Sequence, residues 1–185
     1  VGDVGNRGSS ARSARDRIQR LMRQARKRQS RFTMLLGNHE AMVALGNLAW
    51  CHPEEFLEFA TVAERSRYDS ARATHVYSLL EARTRGGETA PVIGARRDWE
   101  ELHAPGRAAY LDAFGPDGHY GRFLRTLPVA IRIGPVLVTT GGLHPRFANL
   151  GLPRLHRLVQ EHWATVPATS LDLPHDSPIV SEEGP

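Results

Sequence analysis

One cysteine, Cys51, and one lysine, Lys27, stand in a chain of 185 residues. A single cysteine excludes an intrachain disulfide framework and any zinc site built from cysteines alone. No apolar run approaches the ~20 residues that a membrane-spanning helix needs. There is no internal repeat and no low-complexity stretch. With 24 Lys+Arg of which one is lysine, 23 are arginines, which reads as a compositional bias rather than as 23 separately functional guanidiniums. What is present is an ordinary globular composition, 41% hydrophobic and 24% charged. That suffices for one domain with a sizeable core and not comfortably for two.

The formal net charge is +4, and its distribution matters more than its size. Between Arg7 and Arg31 lie ten basic residues and one acid, Asp16, a local +9, which leaves 4 − 9 = −5 for the remainder. The segment has helical periodicity, because Ile18, Leu21, Met22 and Ala25 fall at i, i+3, i+4 and i+7. Ser9 or Ser10 is its expected N-cap, and Arg26, Lys27 and Arg28 occupy the last turn, where cations suit the helix dipole. The segment therefore reads as a surface helix with a solvated basic face. It has no interleaved aromatics and sits on an otherwise acidic chain, which argues against a nucleic-acid partner.

Elsewhere strands and helices mix. Phe32 to Leu36 is a five-residue apolar run closed by Gly37, expected as a buried strand. A turn at Gly37-Asn38 leads into a helix over His39 to Leu45. Pro53 with Glu54 and Glu55 opens another helix, whose apolar face is Phe56, Phe59 and Ala60. Helix is expected around Ala71–Arg83, followed by a loop at 86–95. Pro128 to Ile133, Gly134-Pro135 and Val136 to Thr140 read as a hairpin. A last helix is expected over Pro153 to Ala164, with Leu155, Leu158, Val159 and His162 on one side. Val1-Gly2-Asp3 reads as the close of a strand, and both ends are expected to belong to something longer. Cys51, Trp99, Trp163, Phe56 and Phe59 are expected as core or loop residues. Arg122 and Arg125, at i and i+3, are candidates to meet a phosphate.

Two loops hold the chemistry-bearing residues: Gly2-Asp3-Val4-Gly5-Asn6-Arg7-Gly8 and Gly37-Asn38-His39-Glu40. Each follows an expected strand and precedes an expected helix, and in layered α/β domains such loops gather where ligands bind. Carboxylate and amide oxygens, Asp3 and Asn38, suit a hard divalent cation. The Arg7 guanidinium matches two phosphate oxygens, and the His39 imidazole can carry a proton near neutral pH. These types fit metal-assisted attack on a phosphate ester, although an Asn-His-Glu triplet also serves as a plain capping turn.

The pair GDVGNRG and LLGNHE resembles the GDxxDRG and GNHE signatures of the calcineurin-like metallophosphoesterases, in their phosphoprotein phosphatase branch. The stretch Leu137 to Pro145, LVTTGGLHP, is similar to that branch's VHGGLSP loop. LLGNHEAMVALGNLAW at 35–50 and GHYGRFLRTLP at 118–128 resemble the bacterial Shewanella-like phosphatases. The resemblance implies an α+β fold, a β-sandwich flanked by helices, with residues 1–185 as one partial metallophosphoesterase domain. It implies that Asp3 bridges two divalent metals (manganese, iron or zinc) and that Asn38 ligates the second. His39 would protonate the leaving oxygen and Arg7 would clamp the phosphate. Glu40 is not a ligand in the pattern, and its place in a helix's first turn is reason enough for it.

The departures are specific. The aspartate of DRG, which supports the catalytic histidine, is Asn6, and the histidine ligand of HGG is Thr140. His144 lies four residues on as a conceivable replacement. The GDxHG motif and the last histidine ligand are missing from the sequence. The chain is thus expected to bind metal weakly and turn over slowly, as a phosphatase acting on a phosphorylated protein or a small phosphoester. The alternative is an inactive relative that binds phosphorylated ligands or proteins. A cytoplasmic setting is expected.

Overall fold

The computed structural model describes residues 2–5, 8–86, 99–100 and 102–165. Among the described residues the bounded elements are, in chain order, α1 (Ala11–Lys27), α2 (Asn38–Ala44), α3 (Pro53–Leu57), α4 (Val62–Gly86), α5 (Arg107–Phe114), α6 (His119–Leu124), β1 (Ala130–Ile133), β2 (Val136–Thr139), α7 (Pro145–Ala148) and α8 (Leu152–Thr165). Among the described residues the sheet is the expected hairpin, antiparallel, with Ala130 opposite Thr139 and Ile133 opposite Val136. The expected strand at Phe32–Leu36 is an extended segment outside any ladder. Leu36 donates its N–H to the carbonyl of Pro128 at 2.9 Å, and a proline cannot donate back. The expected loop at 86–95 lies outside the described residues apart from Gly86, which closes α4. The helix at Arg107–Phe114 had no clear signal in the sequence.

The core forms where α5 packs on α2, α3 and α6. Its centre is aromatic: Phe56, Tyr110, Phe114 and Tyr120 are buried, and half-buried Phe59 packs against them. Phe114 stacks on Tyr110 at 4.4 Å and on Tyr120 at 5.0 Å between ring centroids. Met34 and Leu36 from the extended segment, Val43 and Leu45 from α2 and its end, and Val159 and Trp163 from α8 complete it. The buried face of α8 is Leu155, Val159 and Trp163 at i, i+4 and i+8, so Leu158 and His162 stand to one side of the expected stripe. Helix α4 is polar nearly all round, and its start is a capping box. Thr61 N–H donates to Glu64 Oε2 at 2.7 Å, and Glu64 N–H donates to Thr61 Oγ1 at 3.2 Å.

Helix α1 departs from the expectation in an instructive way. Its fully buried positions are Ala11, Arg15 and Gln19, while Ile18 and Met22 are half-buried against the core. The Arg15 guanidinium lies over the Phe114 ring, 4.7 Å from its centroid, and 3.8 Å from Glu55 Oε2. Neither Arg15 nor Glu55 is exposed to solvent. Gly5 makes room for this arginine, because a side chain there would collide with the guanidinium. Ser10 is the N-cap residue but its hydroxyl caps nothing. Glu58, beyond α3, accepts the free Arg12 N–H at 2.7 Å, while the Arg12 side chain donates to the Glu58 carbonyl at 2.6 Å. Two of the basic residues are thus structural pins rather than members of a solvated face.

Tyr110 donates its hydroxyl to Glu55 at 3.4 Å and lies 3.7 Å from Cys51 Sγ. Burial pushes the Glu55 carboxyl up, against the pull of Arg15, and pushes the Cys51 thiol up to about 11. Cys51 therefore stays a neutral, inert packing residue at physiological pH. Removing one partner of the buried pair leaves the other charge uncompensated. Arg15→Met is expected to lower stability by ~3–5 kcal/mol in urea denaturation, and Arg15→Met with Glu55→Gln to recover much of that loss. A raised carboxyl means that the folded chain binds its proton more tightly than the unfolded one. Glu55's contribution accordingly falls as pH rises from ~4.3 through its folded pKa. Denaturation midpoints across that range should lose this slope in Glu55→Gln.

Candidate functional site

The two loops singled out in the sequence meet in space, and the side chain that joins them is Glu40. This residue is fully buried. Its Oε2 accepts the N–H of Asp3 at 2.6 Å and the N–H of Gly37 at 3.2 Å, and its Oε1 accepts the N–H of Val4 at 2.7 Å. A carboxylate holding three backbone donors replaces the ladder that the extended segments do not form. Asp3 Oδ1 in turn accepts the His39 N–H at 3.3 Å. Contacts 36 and 37 residues apart in sequence thereby fix the two loops against each other.

Backbone geometry reflects the crowding. Asp3 has φ +57°, a left-handed conformation that Asp and Asn adopt more readily than most residues with a side chain. Gly37 cannot carry a side chain, since a Cβ would collide with the Asp3 carboxylate and lie 2.6 Å from Glu40 Oε2. Gly2 is equally confined: a Cβ there would sit 2.6 Å from the Leu35 carbonyl, 2.7 Å from the Gly37 nitrogen and 3.0 Å from Thr140 Oγ1. Thr140 is therefore beside the Asp3 loop, and its buried hydroxyl oxygen has no hydrogen-bond partner among the described residues.

Asp3, Asn38, His39 and Thr140 thus belong to one neighbourhood. Asp3 and Asn38 are exposed, and His39 is half-exposed with its ring edge-on to Trp50 at 6.4 Å. Asn6 and Arg7, the expected histidine support and phosphate clamp, lie outside the described residues. His144 caps α7, its Nδ1 accepting the Arg146 N–H at 3.2 Å, which is work for a capping side chain rather than a metal ligand. The two arginines of α6 and its end are committed to backbone. Arg122 donates to the Asp117 carbonyl, and Arg125 donates to the Ala44 carbonyl at 2.8 Å while lying over Trp163.

Among the described residues the donors gathered here are fewer than a dinuclear metal centre needs. Among the described residues no three His, Cys, Asp or Glu side chains gather closely enough to hold a metal ion. Asp3 and Asn38 remain as two oxygen donors, and both oxygens of the nearest further carboxylate, Glu40, are taken up by backbone N–H groups. No family model, curated protein or solved structure matches the chain.

Glu40 is the residue that sequence reasoning undervalued. An acid in the first turn of a helix has a sufficient local explanation, and nothing local reports partners 36 residues upstream. The signal available was the pair of glycines at 2 and 37, one in each loop, whose close approach leaves no room for a side chain. Glu40→Ala leaves three backbone donors without their acceptor and is expected to cost about 3 kcal/mol. It should also accelerate amide hydrogen exchange at Asp3, Val4 and Gly37, with Glu40→Gln intermediate. Unchanged protection at those three amides would show that the loops are held by something else.

Proposed function

We propose that the paired loops form a phosphate-ester site of the metallophosphoesterase type, serving a phosphorylated protein or a small phosphate monoester. The observation that carries this reading is the Glu40 tie, which brings Asp3 and the Asn38-His39 turn into hydrogen-bond contact from two signature segments far apart in sequence. In this reading Arg7 holds the phosphate, and His39 carries the proton that the leaving oxygen needs. Asn6, standing where the resemblance has an aspartate, would lack the charge that stabilises a protonated imidazole. Asp3 and Asn38 are the metal donors of the reading, and divalent ions would supply Lewis-acid chemistry there. Because those two donors do not make a dinuclear set, the chain is proposed to be a slow hydrolase of cytoplasmic setting.

A second reading, a phospho-ligand-binding relative without turnover, is favoured by one observation. Thr140 places an unpartnered hydroxyl where the resemblance calls for an imidazole ligand. One pair of measurements tests both. Calorimetric titration with a phosphoserine peptide is expected to show binding that Arg7→Ala and His39→Ala each weaken about tenfold, in line with loss of a charge-assisted contact. Turnover of p-nitrophenyl phosphate with manganese is expected to be low and to rise at least about tenfold in Asn6→Asp with Thr140→His. Binding with no turnover in either protein selects the second reading, and absence of both binding and turnover removes the phosphate-ester site altogether.

A further inference from the structure

A groove of about 440 Å³ runs between the second half of α1, the segment 30–33 and residues 123–128. It is separate from the loops just described. Phe32 and Asn38 lie at opposite ends of the extended segment, six residues or about 20 Å of chain apart. The apolar lining is Met22, Phe32, Phe123 and Leu127. Phe32 is 43% exposed, although the sequence predicts burial for the run it begins.

The charged lining is Arg23 and Arg26 from α1 and Arg31 from the segment after it. All three are exposed, and none has a carboxylate partner among the described residues. The third element is Gln19. It lines the groove, it is 7% exposed, and its Nε2 has no hydrogen-bond partner among the described residues. An orphaned buried donor costs free energy unless something accepts from it. The groove therefore combines an apolar wall, cations from α1 and the segment that follows it, and a buried donor without a partner among the described residues.

We propose that this groove is a docking site for an acidic peptide segment of a partner protein, one carrying aliphatic or aromatic side chains between its carboxylates. Each part of the lining has a counterpart in such a segment. Guanidiniums bind carboxylates with forked geometry. The apolar wall takes the intervening side chains, and a peptide backbone offers the carbonyl that Gln19 lacks. The volume suits a few side chains of an extended chain and lies within the range of concave ligand sites. A bilayer surface cannot enter a concavity or present a carbonyl at a fixed position. A nucleic-acid backbone leaves the apolar wall uncovered. The surplus positive charge of the α1 region thereby acquires a specific use on an otherwise acidic chain, with electrostatics steering encounter and the apolar wall giving residence.

The probe is a hexapeptide alternating glutamate with phenylalanine and leucine, titrated calorimetrically against the whole chain at 50 mM salt. Saturable 1:1 binding is expected, weakened at least tenfold by Arg23→Glu with Arg26→Glu and at least tenfold at 300 mM salt. Gln19→Leu is expected to weaken it several-fold with an unchanged far-ultraviolet circular dichroism spectrum, and Phe32→Ser likewise. A hexaglutamate control should bind at least tenfold more weakly than the alternating peptide; equal affinity would reduce the site to a counter-charge effect and overturn the proposal. Three further outcomes overturn it as well. These are no peptide binding, tighter binding of phosphatidylglycerol vesicles or a DNA duplex than of the peptide, or self-association in sedimentation that the double charge reversal abolishes. None of these readouts depends on phosphate-ester chemistry, so the groove and the loop site stand or fall separately.

Discussion

The Glu40 carboxylate holds the molecule's chemistry-bearing region together. Extended segments placed side by side normally satisfy their backbone donors in a ladder. Here the segments at 2–5 and 31–37 form none, and a single buried side chain accepts from Asp3, Val4 and Gly37 instead. The arrangement demands glycine at position 37, where the Asp3 carboxylate leaves no space, and it sets Asp3 into a left-handed conformation. A buried carboxylate is tolerable only when donors surround it, so the loops and the acid depend on each other. Everything proposed for Asp3, Asn38 and His39 rests on that mutual dependence.

A second buried acid organises the other side of the same loop. Glu55 faces Arg15, Tyr110 and the aromatic cluster beneath α1. The arginine-rich segment accordingly divides by depth. Arg12 and Arg15 join α1 to α3 and its end, through a carboxylate at the helix N-terminus and a guanidinium on an aromatic face. Arg23, Arg26 and Arg31 remain outside and line the groove at the far end of the extended segment. One compositional bias thus serves folding at one end of a helix and recognition at the other. A count of charges along the sequence makes no such distinction.

Legibility followed the range of the interactions. The hairpin with its Gly134-Pro135 turn, the opening of α2 after Gly37 and α8 are set by neighbours within a few residues. Caps, turns and periodicity report them. The buried face of α1 was misjudged because an arginine can be core if an aromatic face and a carboxylate receive it, and both come from other elements. The extended segment was read as a strand because its apolar run is right for one, but a strand needs a partner that donates and accepts. Pro128 supplies half of that. At the candidate site, Asp3, Asn38 and His39 were visible as residue types. The role of Glu40 and the proximity of Thr140 to Gly2 were not.

The sequence by itself determined the inventory: a single cysteine, a basic helix on an acidic chain, two glycine-flanked polar loops, and the substitutions Asn6 and Thr140 within otherwise familiar motifs. These are properties of residues and near neighbours, so they survive without a fold. Only the tertiary structure decided which of those groups meet, which charges are buried, and that Asp3 and Asn38 have no third metal-ligating side chain beside them among the described residues. It also decided that Gln19 keeps a donor without a partner among the described residues, in a groove lined by Arg23, Arg26 and Arg31. Hydrogen bonds act within about 3 Å, and desolvation depends on every neighbour at once. Distances along the chain carry no information about either until the chain has folded.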